Sequence, residues 1–294
     1  MNKHENNIGI TDIEYTILPD HVLSNPEEKH KVNFVPYASQ VPVVKGRSSL
    51  KKHVISLITE GEKIIHTAGT VIHVTPENIL LLAAGNYLNT ERFKKNERIK
   101  SIMVFFDDDL LKSAISELKR IPAKDTSTQH VTIQPFALFP KDEYLDNFID
   151  SVQSLIDNNL FTEPLQLTKL NELLIFLYTK HPEQFEHFQN IYSQRPEEER
   201  IKHVMEENIS HNLSVSELAF LCHMSLPTFK RKFQQIYNES PARWIQIQRL
   251  TTAADLLKRK GAKPGDVYLQ AGYENHSSFS KAFKRHFGLL PKDY

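Results

Sequence analysis

The chain has 294 residues, 40% hydrophobic and 24% charged, which is ordinary for globular protein and long enough for two domains. No apolar run approaches the ~20 residues of a bilayer-spanning helix, and one cysteine, Cys222, excludes an internal disulfide framework and any cysteine-built metal site. The net charge of zero hides an asymmetry: residues 225–294 hold 13 Lys and Arg against 5 Asp and Glu, or +8, so the rest carries −8, and a basic end suits a polyanion such as nucleic acid.

The opening MNKHENNIG lacks the basic-then-apolar order of a signal peptide, and the single cysteine fits a reducing cytoplasm, the expected location. Residues 1–31 are polar, with Pro19 and Pro26, and read as a flexible arm with room for one short strand. Residues 32–106 read as β structure. HVISLIT (53–59) is apolar and β-branched, GEK turns, IIH follows, AGT turns again and VIHV pairs back. TPEN then breaks the chain before ILLLAA (79–84), and IKSIMVFF (99–106) supplies a further strand. Short strands at close spacing predict a small barrel or sandwich.

The period then changes. Residues 107–120 read as a helix with acidic residues in its first turn, where the helix dipole favours them. Residues 141–158 place Tyr144, Phe148, Val152 and Leu155 three or four apart, and residues 165–179 do the same with Leu167, Leu170, Leu173, Leu174 and Leu177. These helices either pack on the barrel or meet a second copy of the chain. SQRPEEER (193–200) reads as a linker, giving a regulatory or dimerisation domain over 32–192 and a separate domain over 198–294.

That last domain repeats itself. Ser214 is an N-cap candidate with Glu217 three residues on, the capping-box spacing. A tight turn through His223 leads to Ser225, a second N-cap, and to LPTFKRKFQQIY, where Phe229, Phe233 and Tyr237 recur every four residues. Fifty positions downstream HSSFSKAFKRHF does the same with Phe279, Phe283 and Phe287. Two short helices around a tight turn make a helix-turn-helix. An aromatic stripe that anchors each second helix leaves its opposite face outward. Pro241–Lys258 reads as a linker helix about 27 Å long at ~1.5 Å per residue, and bundle thickness at either end brings the two outward faces near the ~34 Å separating successive major-groove windows.

The run from SVSELAFLCHMS through SPARWIQIQRLTTAADLL to AGYENHSSFSKAFKRHFGLLP resembles the DNA-binding domain of AraC/XylS-type transcription regulators over residues 198–294. The resemblance implies an α+β chain: an N-terminal cupin-like β-barrel with packed helices, then an all-α domain of two helix-turn-helix units joined by a linker helix. It implies a sequence-specific DNA-binding regulator, an activator that contacts RNA polymerase. Carried onto this sequence, the outward positions are Leu226, Pro227, Lys230, Arg231 and Gln234 in the first recognition helix, and His276, Ser277, Ser280 and Lys281 in the second. Lys230 and Arg231 suit guanine edges, whereas Lys284 and Arg285 suit phosphates, which set register. Arg249 would hold the linker helix to either bundle. Phe229, Phe233, Tyr237 and Trp244 more loosely resemble the branch that activates type III secretion genes.

Four residues depart from the family pattern: His223 and Asn238 where glycine is usual, Pro264 at a usual Ile and Tyr268 at a usual Ala. The last two predict that the second unit docks less faithfully and that specificity rests on the first. Residues 32–106 resemble cupin-type regulatory domains, but His53, His66 and His73 stand singly with no His-x-His pair. No metal, no cofactor and no catalysis are therefore expected, and each His reads as a surface or core residue. The N-terminal domain is expected to hold a small-molecule effector, dock a regulatory protein or form a homodimer. Ile55, Leu57, Val74 and Met103 are its candidate lining residues. Two further readings are a protein-partner module with weakened DNA binding and a cupin-type enzyme with an appended helix-turn-helix domain.

Overall fold

The computed structural model describes residues 15–23, 30–118, 134–188, 196–209, 211–258, 263–273 and 275–294. The chain divides into two compact units, one of Met1–His66 with Val71–Arg195 and one of Thr67–Thr70 with Pro196–Tyr294. Residues 1–14 and 24–29 of the expected arm, and 193–195 of the expected linker, lie outside the described residues.

Among the described residues the first unit holds ten strands: β1 (Thr16–Leu18), β2 (Val32–Ser39), β3 (Gly46–Leu50), β4 (His53–Glu60), β5 (Glu62–His66), β6 (Val71–Val74), β7 (Asn78–Leu82), β8 (Gly85–Arg92), β9 (Ile99–Phe106) and β10 (Phe136–Pro140). They form two five-stranded sheets, ordered β1-β3-β8-β5-β6 and β10-β7-β4-β9-β2. Of the expected small barrel or sandwich, the strands make a cupin-like sandwich, because the strands of each sheet pair only with one another among the described residues. Pro36 lies in β2, an edge strand that pairs with β9 alone, where a missing N–H costs no ladder bond on the open side. Gly61 turns β4 into β5 at φ +77°; a Cβ there would come within 3.1 Å of the Arg92 carbonyl oxygen.

Period-two alternation decides which side chains face which layer. Val54, Ile58, Leu80, Leu82, Met103 and Phe105 point between the sheets, where they meet Ile65, Ile72, Val74 and Tyr87. The alternate residues Ile55, Leu57, Ile79, Leu81, Ile102, Val104 and Phe106 point the other way, under helices. Both faces of this sheet are covered, which explains the unbroken apolar runs of β7 and β9. It also corrects one expectation: Val74 and Met103 line the interior, but Ile55 and Leu57, of opposite parity to Val54, pack against helices. The interior cavity measures about 60 Å³ and is bordered by Leu18, Ser56, Val74, Tyr87, Met103 and Phe105.

The covering helices are α1 (Asp108–Leu118), α2 (Glu143–Asp157), α3 (Glu163–Lys180) and α4 (Pro182–His187). Asp108 and Asp109 occupy the first turn of α1 as expected, and Arg120, the predicted end of that helix, lies outside the described residues. Helix α2 buries Leu145, Phe148, Ile149 and Val152; α3 buries Leu170, Leu173, Leu174, Leu177 and Tyr178. Tyr144, expected on the buried stripe, is instead exposed and stacks on Phe176 with ring centroids 3.9 Å apart.

Charged residues also enter the sandwich. Lys63 and Glu91 are buried 3.5 Å apart, and the Glu91 carboxylate accepts from the Tyr37 hydroxyl at 3.0 Å and the Asn89 amide at 3.2 Å. Burial and the Glu91 charge raise the Tyr37 pKa, so its phenol stays a donor.

His53 is a core histidine. Its Nδ1 accepts the Ala84 amide N–H at 3.2 Å, which makes Nε2 the protonated nitrogen, 3.2 Å from Asp108 Oδ1 at the start of α1. Burial lowers its pKa below the ordinary 6.5, more than the Asp108 carboxylate raises it. The unfolded chain therefore binds the extra proton first on acidification, so this contribution is full above about pH 6.5 and is lost as pH falls below it. The urea midpoint should drop between pH 7 and pH 5, and a His53→Gln variant should show a smaller drop. An equal drop would place the acid-labile group elsewhere.

The second unit is helical: α5 (Glu197–Asn208), α6 (Val215–Leu221), α7 (Leu226–Tyr237), α8 (Pro241–Leu257), α9 (Pro264–Gln270) and α10 (His276–Phe287). Residues 197–200, expected as linker, are the first turn of α5, with three glutamates at its positive end. Its apolar stripe is Ile201, Val204 and Met205, all buried.

Candidate nucleic-acid interface

Helices α7 and α10 are built on one template. Each has 12 residues, and their aromatic positions coincide at a shift of fifty: Phe229, Phe233 and Tyr237 against Phe279, Phe283 and Phe287. The four leading rings are fully buried and form a chain of ring contacts, at 5.7 Å for Phe229–Phe233 and 5.5 Å for Phe279–Phe283. Trp244 of α8 closes on Phe233 at 5.8 Å and Tyr237 at 4.9 Å in the first helix-turn-helix unit. Tyr294 closes on Phe283 and Phe287, both at 5.2 Å, in the second.

The helix ends match as well. Ser225 Oγ accepts from the Thr228 N–H and Asn275 Oδ1 from the Ser278 N–H, each satisfying an orphan amide of the first turn. At the far end Asn238 (φ 52°) and Gly288 (φ 79°) sit in left-handed caps, and their N–H groups donate to the Gln234 and Lys284 carbonyls. The preceding turns repeat three backbone bonds. Cys222, His223 and Met224 donate to Leu218, Phe220 and Ala219; Ala271, Gly272 and Tyr273 donate to Val267, Leu269 and Tyr268. The Ser214–Glu217 capping box is formed in both directions. Tyr268, at the place of Ala219, leaves this turn intact: it lies half-buried at the rim, its ring edge-on to His276 at 5.8 Å.

With the aromatic stripes inward, the opposite faces are open. Pro227, Lys230, Arg231 and Gln234 are exposed on α7, and Leu226 is half-buried. On α10 His276, Ser277, Lys281, Lys284 and Arg285 are exposed, and Ser280 is half-buried, 3.5 Å from His276 Nδ1. Leu226, Lys230 and Gln234 line a surface groove together with Ser214–Ser216 at the start of α6 and Ser240–Ala242 at the start of α8; Arg231 stands outside its lining. The corresponding groove on the second unit gathers Ser280, Lys281, Lys284 and Leu290. Leu290 stands fifty positions after Ser240, so the two grooves share a frame.

Sequence reasoning missed two parts of this surface. The starts of α6 and α8 bring Ser214, Ser216 and Ser240 to the first groove, residue types that suit phosphate oxygens; their N-cap serines were the available signal. Arg285 also donates to Gln246 Oε1 of α8 at 3.3 Å, so part of its guanidinium serves the protein itself. Lys232 on α7 pairs with Glu197 of α5.

Within the helical body, Arg249 ties the start of the first helix-turn-helix to the turn of the second. From the middle of α8 its Nε and Nη2 donate to the Ile209 and His211 carbonyls at 3.4 and 3.0 Å, ahead of the first unit, and Nη1 donates to the Gly272 carbonyl at 3.2 Å, inside the second. Elsewhere, Cys222 is fully buried between the helices of the first turn, and burial pushes its thiol pKa up to about 12. Among the described residues no group of three or more His, Cys, Asp or Glu could hold a metal ion, and no helix is long and apolar enough to cross a membrane.

A model of the ExsA N-terminal regulatory domain matches residues 53–188, and a helix-turn-helix domain model matches residues 218–294. The chain is 24% identical over 236 residues to the thermoregulatory protein LcrF of Yersinia pestis, spanning 80% of this chain and 86% of LcrF. It is 28% identical over 180 residues to the virulence regulon transcriptional activator VirF of Yersinia enterocolitica, spanning 61% of this chain and 63% of VirF. Over 93 residues, 32% of this chain and 34% of the relative, it is 31% identical to the HTH-type transcriptional regulator ExsA of Pseudomonas aeruginosa. A regulatory-domain match followed by a match that takes in both aromatic-striped helices agrees with the duplicated geometry of α7 and α10: the chain carries an ExsA-type N-terminal regulatory domain and an AraC-type helix-turn-helix domain.

Proposed function

We propose that this regulator reads two adjacent major grooves of one DNA face, with α7 and α10 as its reading helices, and that it activates transcription by contact with RNA polymerase. The coincidence of the two helices at a shift of fifty supports this reading, because both present cations on the face opposite their buried rings. In α7, Lys230 and Arg231 read base edges, with Leu226, Pro227 and Gln234 completing the surface. In α10, His276, Ser277, Ser280 and Lys281 face the bases while Lys284 and Arg285 meet phosphates. The protein works without catalysis or cofactor, in the cytoplasm, and the similarity to VirF supports the activator role.

Several phosphate contacts require counterion release. Log affinity should fall steeply against log salt, by about 0.9 per neutralised phosphate, and Lys284→Ala should reduce that slope by about one. Fluorescence anisotropy on promoter fragments measures both. An affinity indifferent to salt would favour a protein-partner module instead.

The N-terminal unit, on this reading, regulates through a protein surface. A pocket for a drug-sized ligand takes roughly 300–1,000 Å³, whereas the interior cavity holds about 60 Å³, room for a few waters. Helix α3 keeps Leu165 and Ile175 exposed opposite its buried stripe, which fits a homodimer. Ile175→Asp should weaken self-association by about tenfold, as expected for an apolar contact at the centre of an interface. Sedimentation analysis reads this directly, and an unchanged dimer constant would remove α3 from the interface.

A further inference from the structure

The second turn carries Gly272 at φ +75°, where the first carries His223 at φ 57°. Both are left-handed and make the same turn bond, so backbone conformation alone does not explain why one place has a side chain and the other has none. The difference lies in what stands over them. A Cβ on Gly272 would come within 3.1 Å of Arg249 Nε and 3.3 Å of Cζ. The His223 side chain, by contrast, is exposed. The missing side chain at 272 is the space that the guanidinium occupies.

We propose that Arg249 is a positioning residue for DNA reading: one planar guanidinium, bonded to Ile209 and His211 on one side and Gly272 on the other, fixes the angle between α7 and α10. Its five N–H donors lie in a rigid fork, so three bonds, two to the α5–α6 connection and one to the second turn, leave little freedom between these segments. The Arg285–Gln246 bond adds a second tie between α10 and α8, one turn before Arg249. Lysine, a single point donor on a flexible stem, could not hold three carbonyls in one plane.

This inference rests on the two-groove reading, and two measurements on the full chain separate their failures. The first needs no DNA. With spin labels at exposed Gln235 and His286, the distance distribution between α7 and α10 should be narrow, and Arg249→Ala should broaden it at least twofold while circular dichroism keeps the helical signal. Should the alanine variant fail to fold, Arg249→Lys is expected to broaden the distribution to a lesser degree. A distribution as narrow as the wild type's in either folded variant overturns the proposal.

The second measurement uses a promoter fragment bound by the wild type and the same fragment with two base pairs inserted between the protected windows. The wild type should lose at least tenfold in affinity on insertion. Arg249→Ala should bind the native spacing about tenfold more weakly, yet lose less than threefold on insertion. An undiminished spacing penalty in the variant refutes the positioning role. A wild type that tolerates the insertion refutes the two-groove reading itself, and the consequence drawn from it for DNA, while leaving the label distances to judge the clamp.

Discussion

Phe283→Ala should remove about 3–5 kcal/mol of stability, the range for deleting a large aromatic from a core that cannot collapse, a substantial share of the roughly 5–15 kcal/mol typical of a folded domain. Phe283 has no exposed surface. Its ring touches Phe279 at 5.5 Å, Phe287 at 4.6 Å and Tyr294 at 5.2 Å, within a cluster with Leu250, Ala253, Ala254 and Val267. Nothing around it can swing in without abandoning another contact. Lys281, two residues earlier and exposed, should shift stability by no more than about 0.5 kcal/mol when truncated. Urea titration followed by circular dichroism compares the two. A cost below about 1 kcal/mol for Phe283→Ala would show that the stripe is not the anchor of its helix.

Arg231→Ala should leave folding alone and erase discrimination at one base pair, worth about 1–3 kcal/mol or roughly five- to 150-fold in relative affinity. The residue is exposed on the face opposite Phe229 and Phe233 and stands beside the groove that Lys230 and Gln234 line. A phosphate contact such as the one assigned to Lys284 should behave differently, lowering affinity about equally on every sequence. Genome-wide mapping of bound DNA with and without the substitution distinguishes them. Recovery of an unchanged motif by the mutant would end the base-reading assignment.

The helical half was legible because its signals are local. Capping residues at Ser214 and Ser225, the proline that opens α8 and rings every four residues all act within one or two turns, and the structure places them as the spacing requires. Helix α5 was readable too, from Ile201, Val204 and Met205, but its proline and glutamates suggested a linker when they form a helix N-terminus. The β half was harder for a nonlocal reason. Strand β8, GNYLNTER, carries polar residues inward because Glu91 meets Lys63 from another strand, a pairing no window on either segment contains. Likewise, whether Ile55 or Val54 faces the interior depends on which side the later helices cover. Arg249 was singled out in sequence as a tie to either bundle, but its reach to both required the coordinates.

The shared frame of α7 and α10 has an evolutionary corollary. Because equal length, equal caps and equal ring positions carry the folding load, outward residues in one helix can drift without disturbing its own scaffold or the other helix. Promoter preference can then be rewritten one half at a time, and a cassette moved from 226–237 into 276–287 should arrive in a socket already shaped to receive it.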